Sequence, residues 1–183
     1  MTSKLDIAGG HVRAAIQMIA IRSNPYSTHV IVMACEEMLR SIAEFREVAL
    51  AGSFDDAIKR DRIDEWRKHI RSAYNFFKHA ARDVSADYDG PGEDDLQTLN
   101  QIQTMLNCAS YQGLSGTTPE EMTSFMNLTA FRFHANVFDD EFFKKFPEAE
   151  AMVKQVAGMN AAEVEFGLRL MLYQKGQLPD SPV

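Results

Sequence analysis

At 183 residues, 45% hydrophobic and 25% charged, the chain suits one folded domain and excludes disorder over most of its length. A net charge of −7 argues against general attraction to nucleic-acid backbones or anionic membranes. No run of about 18 apolar residues occurs, so no membrane span is expected.

The opening residues, MTSKLDIAGGHVRAA, lack a basic stretch leading into an apolar run, so no secretory signal is expected. Cys35 and Cys108 stand alone within apolar helical patterns, as reduced, buried cysteines of a cytoplasmic protein do.

Apolar residues recur at steps of three and four along nearly the whole chain, the helical period. Val12, Ala15, Ile16 and Ile19 mark a first helix, which ends before Ser23-Asn24-Pro25. A long second helix follows, with Ile31, Cys35, Met38, Ile42 and Phe45 as its stripe. Ala51-Gly52-Ser53 closes it, and Ser53 with Asp56 can cap a short third helix.

The pattern then predicts a helix over 63–82, with Ile63, Trp66, Ile70, Ala73, Phe77 and Ala80 on its core face. Residues 85–95 read SADYDGPGEDD, an acidic Gly/Pro loop expected to be exposed. Leu96, Leu99, Ile102, Met105, Leu106 and Ala109 form the next apolar face, and Gly113 ends that helix.

Thr118, Pro119 and Glu121 make a helix start, followed by Met122, Phe125, Met126, Phe133 and Val137. A short segment at 139–146, a helix after Pro147 and a last helix capped at Asn160 complete the chain before a frayed tail. The fold class is therefore all-α: a single bundle of six to eight helices spanning 1–183, with a possible subdivision at the 85–93 loop.

None of the common metal or nucleotide motifs is present: no HExxH, no ExxH, no EF-hand loop, no Walker loop, no GxGxxG. The five histidines, His11, His29, His69, His79 and His134, include no pair three or four apart, so no helix offers a paired imidazole site. No metal or cofactor is expected. His29 shares a helix with Glu36 and Glu37, and with help from another helix they could hold a metal or carry a proton relay. Equally, Glu36, Arg40, Glu44 and Glu47 can form a solvated stripe of charge pairs.

The stretch from Ser72 to Ala80, SAYNFFKHA, is more informative. Asn75 and His79 are helical neighbours beside Lys78, and Tyr74 and Phe76 widen the apolar face. That much aromatic surface calls for cover on two sides, which would set Asn75 and His79 at an interface or cleft. From Lys59 to Arg82 there are eight Lys or Arg against three acids. Such a segment can meet an anion, RNA or a protein partner, or balance the acidic remainder of the chain.

His29, Glu37 and the run Asn75, Phe76, Phe77, Lys78, His79 through Asp83 resemble a bacterial all-α family that carries an Asn-Phe-Phe-Lys-His-Ala motif. The resemblance covers roughly residues 10–85 and implies no particular activity. The same helix is more remotely similar to the catalytic helix of the HEPN superfamily, whose motif is an Arg, a polar residue and a His. That resemblance implies a HEPN-like all-α fold, frequent homodimers and, in many members, metal-independent RNase activity.

Asn75 and His79 match the second and third motif elements. Tyr74 occupies the place of the Arg, and Arg71 lies eight residues before His79. In an RNase, His79 would be general acid or base, Arg71 or Lys78 would stabilise phosphate charge and Asn75 would orient them. Three readings follow: a cytoplasmic homodimer acting through protein interaction, a HEPN-like RNase, and a helical bundle that binds a small molecule in an internal polar pocket. The catalytic candidates are His79, Asn75 and Arg71. The binding candidates are Lys78, Arg82, His29 and Glu37.

Overall fold

The structure is a computed structural model that describes residues 2–50, 53, 57–79, 85, 87–133 and 161–178. It is all-helical: α1 (Lys4–Ala20), α2 (Pro25–Phe45), α3 (Ile63–Lys78), α4 (Glu93–Ser115), α5 (Glu120–Phe133) and α6 (Ala161–Gln174). No strand occurs among the described residues. The expected Ser53–Asp56 cap, the segments between 134 and 160, Arg82 and the tail beyond 178 lie outside the described residues.

Local chemistry sets the helix starts. Ser3 Oγ accepts from the Asp6 amide at 3.1 Å, and Asp6 Oδ2 accepts from the Ser3 amide at 2.8 Å. This capping box satisfies two orphan donors and starts α1 eight residues before Val12, where its apolar periodicity begins. Asn24 Oδ1 accepts from the Ser27 amide at 3.0 Å, with Pro25 preset at the first position of α2. Glu93, Asp94 and Asp95 favour the positive end of the α4 dipole. Gly116 ends α4 at φ 73, a left-handed conformation that costs other residues a Cβ clash.

α4 is the central element. It packs against α1, α2 and α5, and every residue from Leu99 to Ser110 is buried. From Leu96 to Ser115 it carries no charged residue at all. A helix covered on all sides has no solvent face on which to place a charge. The main core joins Val12, Ile16 and Ile19 of α1, Cys35 and Leu39 of α2, and Ile102 and Leu106 of α4 with Phe125 of α5. Each such side chain contributes roughly 1.5–3 kcal/mol through burial. α1 and α4 approach closely at Gly9, where a Cβ would lie 2.8 Å from the Tyr111 ring. Both cysteines are free and buried, and burial pushes the Cys35 thiol up to about 12.

α3 packs chiefly in a second, smaller cluster, while Ile63 and Trp66 in its first turns also pack against the main core. Ile70, Ala73 and Tyr74 pack with Met33 of α2 and with Leu96 and Leu99 of α4. Trp66 and Phe77 are only partly buried there, while Tyr74, expected at the flank, is buried. The acidic loop is also held more firmly than its composition suggests. Tyr88 stacks on Phe77 at 5.5 Å and meets the edge of Tyr26 at 5.5 Å, and Pro91 is buried. One aromatic residue with three ring neighbours offsets the solvation of the aspartates around it.

Candidate functional site

α3 covers only part of the groove between α2 and α4. The uncovered part is a cleft of about 440 Å³, within the roughly 300–1,000 Å³ usual for small-molecule sites. Each helix contributes one stripe at helical spacing: Met33, Glu36, Glu37 and Arg40 from α2, Arg67, Ile70, Arg71, Tyr74 and Asn75 from α3, and Gln103, Asn107 and Ser110 from α4.

The α4 stripe is the floor. Gln103 Nε2 donates to Asn107 Oδ1 at 3.1 Å, and Asn107 Nδ2 donates to the Val32 carbonyl at 2.9 Å. That chain ties α4 to α2 and fixes the amide orientations. It leaves two groups without a protein partner among the described residues, Gln103 Oε1 and Ser110 Oγ. Both residues are more than nine-tenths buried, and both line the cleft. Neither atom is among the buried unpartnered ones, so both open onto the cleft, and the floor offers an acceptor and a hydroxyl to whatever enters.

The α2 wall is acidic. Arg40 donates to Glu36 at 3.2 Å and to Glu44 at 3.4 Å, so part of the expected charge stripe exists. Glu36 itself is half-buried, however, and faces the cleft. Burial pushes its carboxyl above the usual carboxylate range, against the pull of Arg40 and, more weakly, Arg71. Glu37 behaves in the opposite way. Lys78 Nζ donates to both its oxygens, at 2.8 and 3.0 Å, and the Tyr74 hydroxyl donates at 3.1 Å. These bonds, that of Lys78 first, hold the Glu37 carboxyl below its ordinary value. Lys78 also lies 5.0 Å from the Tyr74 ring centre, so the trio fastens α3 to α2 at the mouth of the cleft.

The α3 wall is basic and open. No hydrogen bond or ion pair engages the side chains of Arg71 or Asn75 among the described residues, and both are exposed at the cleft.

Among the sequence candidates, Glu37, Arg71 and Asn75 therefore share the cleft, with Lys78 bonded at its edge. His29 does not share it. Its ring is completely buried, with Nδ1 2.7 Å from Asn100 Oδ1 and Nε2 3.0 Å from the Ile70 carbonyl, and it joins α2, α3 and α4 in the core. His79 caps the C-terminus of α3 through its backbone, donating to the Asn75 carbonyl, and does not line the cleft.

Gln103 and Ser110 are the contributors that the sequence reading missed, and Glu36 was weighed there only beside His29 or on a solvated stripe. The charge-free run after Leu96 is the signal that could have found the floor, because polar residues at 100, 103, 107 and 110 stand on a helix with no solvent face. Among the described residues, no group of three or more His, Cys, Asp or Glu is arranged to hold a metal, and no helix is long and apolar enough to cross a membrane. No protein-family model matches the chain, and no curated protein or solved structure is significantly similar to it.

Proposed function

We propose that the protein binds a small polar molecule in the cleft between α2, α3 and α4. The carrying observation is the floor: a recess of about 440 Å³ where Gln103 and Ser110 hold out hydrogen-bonding groups that no protein group uses among the described residues. Of the three readings open to the sequence, this geometry favours the internal polar pocket, built on Glu37, Arg71 and Asn75 and not on the histidines. The RNase reading has less support, because His79 lies outside the cleft that Arg71 and Asn75 line.

Ligand-induced stabilisation tests this. The small-molecule fraction of a cell extract should raise the melting temperature of the wild-type chain, since a ligand at about 100 times its Kd stabilises by about 2.7 kcal/mol. The Arg71→Ala chain should respond less. No rise in the wild type, or an equal rise in Arg71→Ala, would refute binding at this cleft.

A further inference from the structure

We infer that the ligand is a zwitterion of the α-amino-acid class, its ammonium group received by Glu36 and Gln103 Oε1 and its carboxylate by Arg71 and Asn75. This rests on the cleft being the binding site, and it assigns the chemistry of the occupant from the poles of the cleft.

Glu36 and Gln103 Oε1 are acceptors on the α2 wall and the floor. Arg71 and the Asn75 amide offer donors on the α3 wall. Arg71 lowers the cost of ionising Glu36, so the two charges sense each other. Yet no ion pair joins them, although Glu36 pairs with Arg40 on its own helix. Opposite charges that line one cleft without pairing are complementary to a group carrying both signs.

Each pole also rejects the wrong ligand. A simple anion that reached Arg71 would have the Glu36 carboxylate for company, and a simple amine at Glu36 would face the Arg71 guanidinium. Specificity of this kind comes from the repulsive element as much as from the attractive one. The remaining lining mixes Arg40, Arg67, Ser53 and Tyr74 with the apolar Met33, Leu50 and Ile70, against which a side chain of the ligand can lie.

The test uses the full chain and the common L-α-amino acids as single probes, read first by thermal shift and then by titration calorimetry. At least one amino acid should bind. Its amine analogue, which lacks the carboxylate, and its acid analogue, which lacks the ammonium group, should each bind wild type at least tenfold more weakly. Glu36→Gln and Arg71→Gln should each cost at least tenfold in affinity, with apo melting curves checking that the variants are folded. The analogue comparison needs no variant, so it decides even if a variant fails to fold.

An acid analogue binding as tightly as its amino acid would overturn the inference and make the ligand a simple anion. If no amino acid binds, yet the extract fraction still stabilises wild type and not Arg71→Ala, the ligand class is wrong and the cleft remains a site. If neither amino acids nor extract act on wild type, the cleft reading falls with it.

Discussion

Acid should destabilise this fold through His29. The ring has no exposed surface, and no carboxylate bonds to it; its partners are the Asn100 side-chain oxygen and the Ile70 carbonyl. Asn100 Nδ2 donates to the Pro25 carbonyl at 2.9 Å, which turns the amide oxygen toward the ring. An imidazolium would satisfy both acceptors and a neutral ring only one. Burial opposes the charge and outweighs both hydrogen bonds, so the His29 pKa lies below the ordinary imidazole value.

The sign follows by linkage. Well above the ordinary value of about 6.5, neither the folded nor the unfolded chain protonates this ring, and its pH-dependent contribution is constant. As the pH falls below that value the unfolded chain takes up the proton and the folded chain does not. Stability then drops until the lowered folded pKa is reached. Between about pH 6.5 and pH 5 the loss approaches about 2 kcal/mol if the folded ring stays neutral.

Urea unfolding at pH 7 and pH 5, for wild type and for His29→Gln, isolates this share from all other titrations. Glutamine retains an amide donor but cannot titrate. Wild type should lose more stability than the variant on acidification, by at most about 2 kcal/mol. Equal pH dependence would remove His29 as the cause. A wild type that gained on the variant would mean that the ring is charged in the fold.

Leu106→Ala should cost about 2–5 kcal/mol by chemical denaturation, because Leu106 is completely buried on the central helix; a loss under about 1 kcal/mol would show that α4 is rotated. Gly116→Ala should lower stability by about 1–2 kcal/mol, since φ 73 suits glycine at the end of α4; an unchanged melting temperature would mean that the turn adopts another conformation. Lys78→Met should raise the titration midpoint of the Glu37 carboxyl, followed by NMR, because the Lys78 hydrogen bond is the largest influence holding it down; an unmoved midpoint would place Lys78 away from Glu37 in solution.

Much of this was legible in the residues, and the failures have physical causes. Three-and-four periodicity located the helices because each carries an apolar face, but it understated α1, whose first turns are set by the Ser3–Asp6 capping box and not by hydrophobicity. It assigned Trp66 and Phe77 to the main core, whereas Phe77 packs in a side cluster and Trp66 lies partly buried against both clusters. Periodicity states which face is covered, not which element covers it. The acidic loop appeared free because composition weighs five acids above one tyrosine, whereas packing gives Tyr88 three ring contacts.

Arg71 and Asn75 stood out as candidates because polar residues on an aromatic helix demand an explanation, and Glu37 did through the family resemblance and its helix shared with His29. Gln103 and Ser110 did not, because one amide and one hydroxyl look ordinary until a neighbouring helix is seen to stop short of covering them.

That incomplete cover bears most directly on function. A bundle selected for stability alone would fill the groove between α2 and α4 with apolar side chains, since burial of apolar surface is the dominant favourable contribution to folding. This chain instead places Gln103, Asn107 and Ser110 on the one helix whose last twenty residues carry no charge, and uses only part of their bonding capacity internally. α3 meanwhile is fastened beside the gap by Lys78, Glu37 and Tyr74 and aims Arg71 and Asn75 at it unbonded. Polar groups with bonding capacity to spare thus meet at one cavity from three helices. A fold gives up stability to keep such a cavity open and polar where a site requires it.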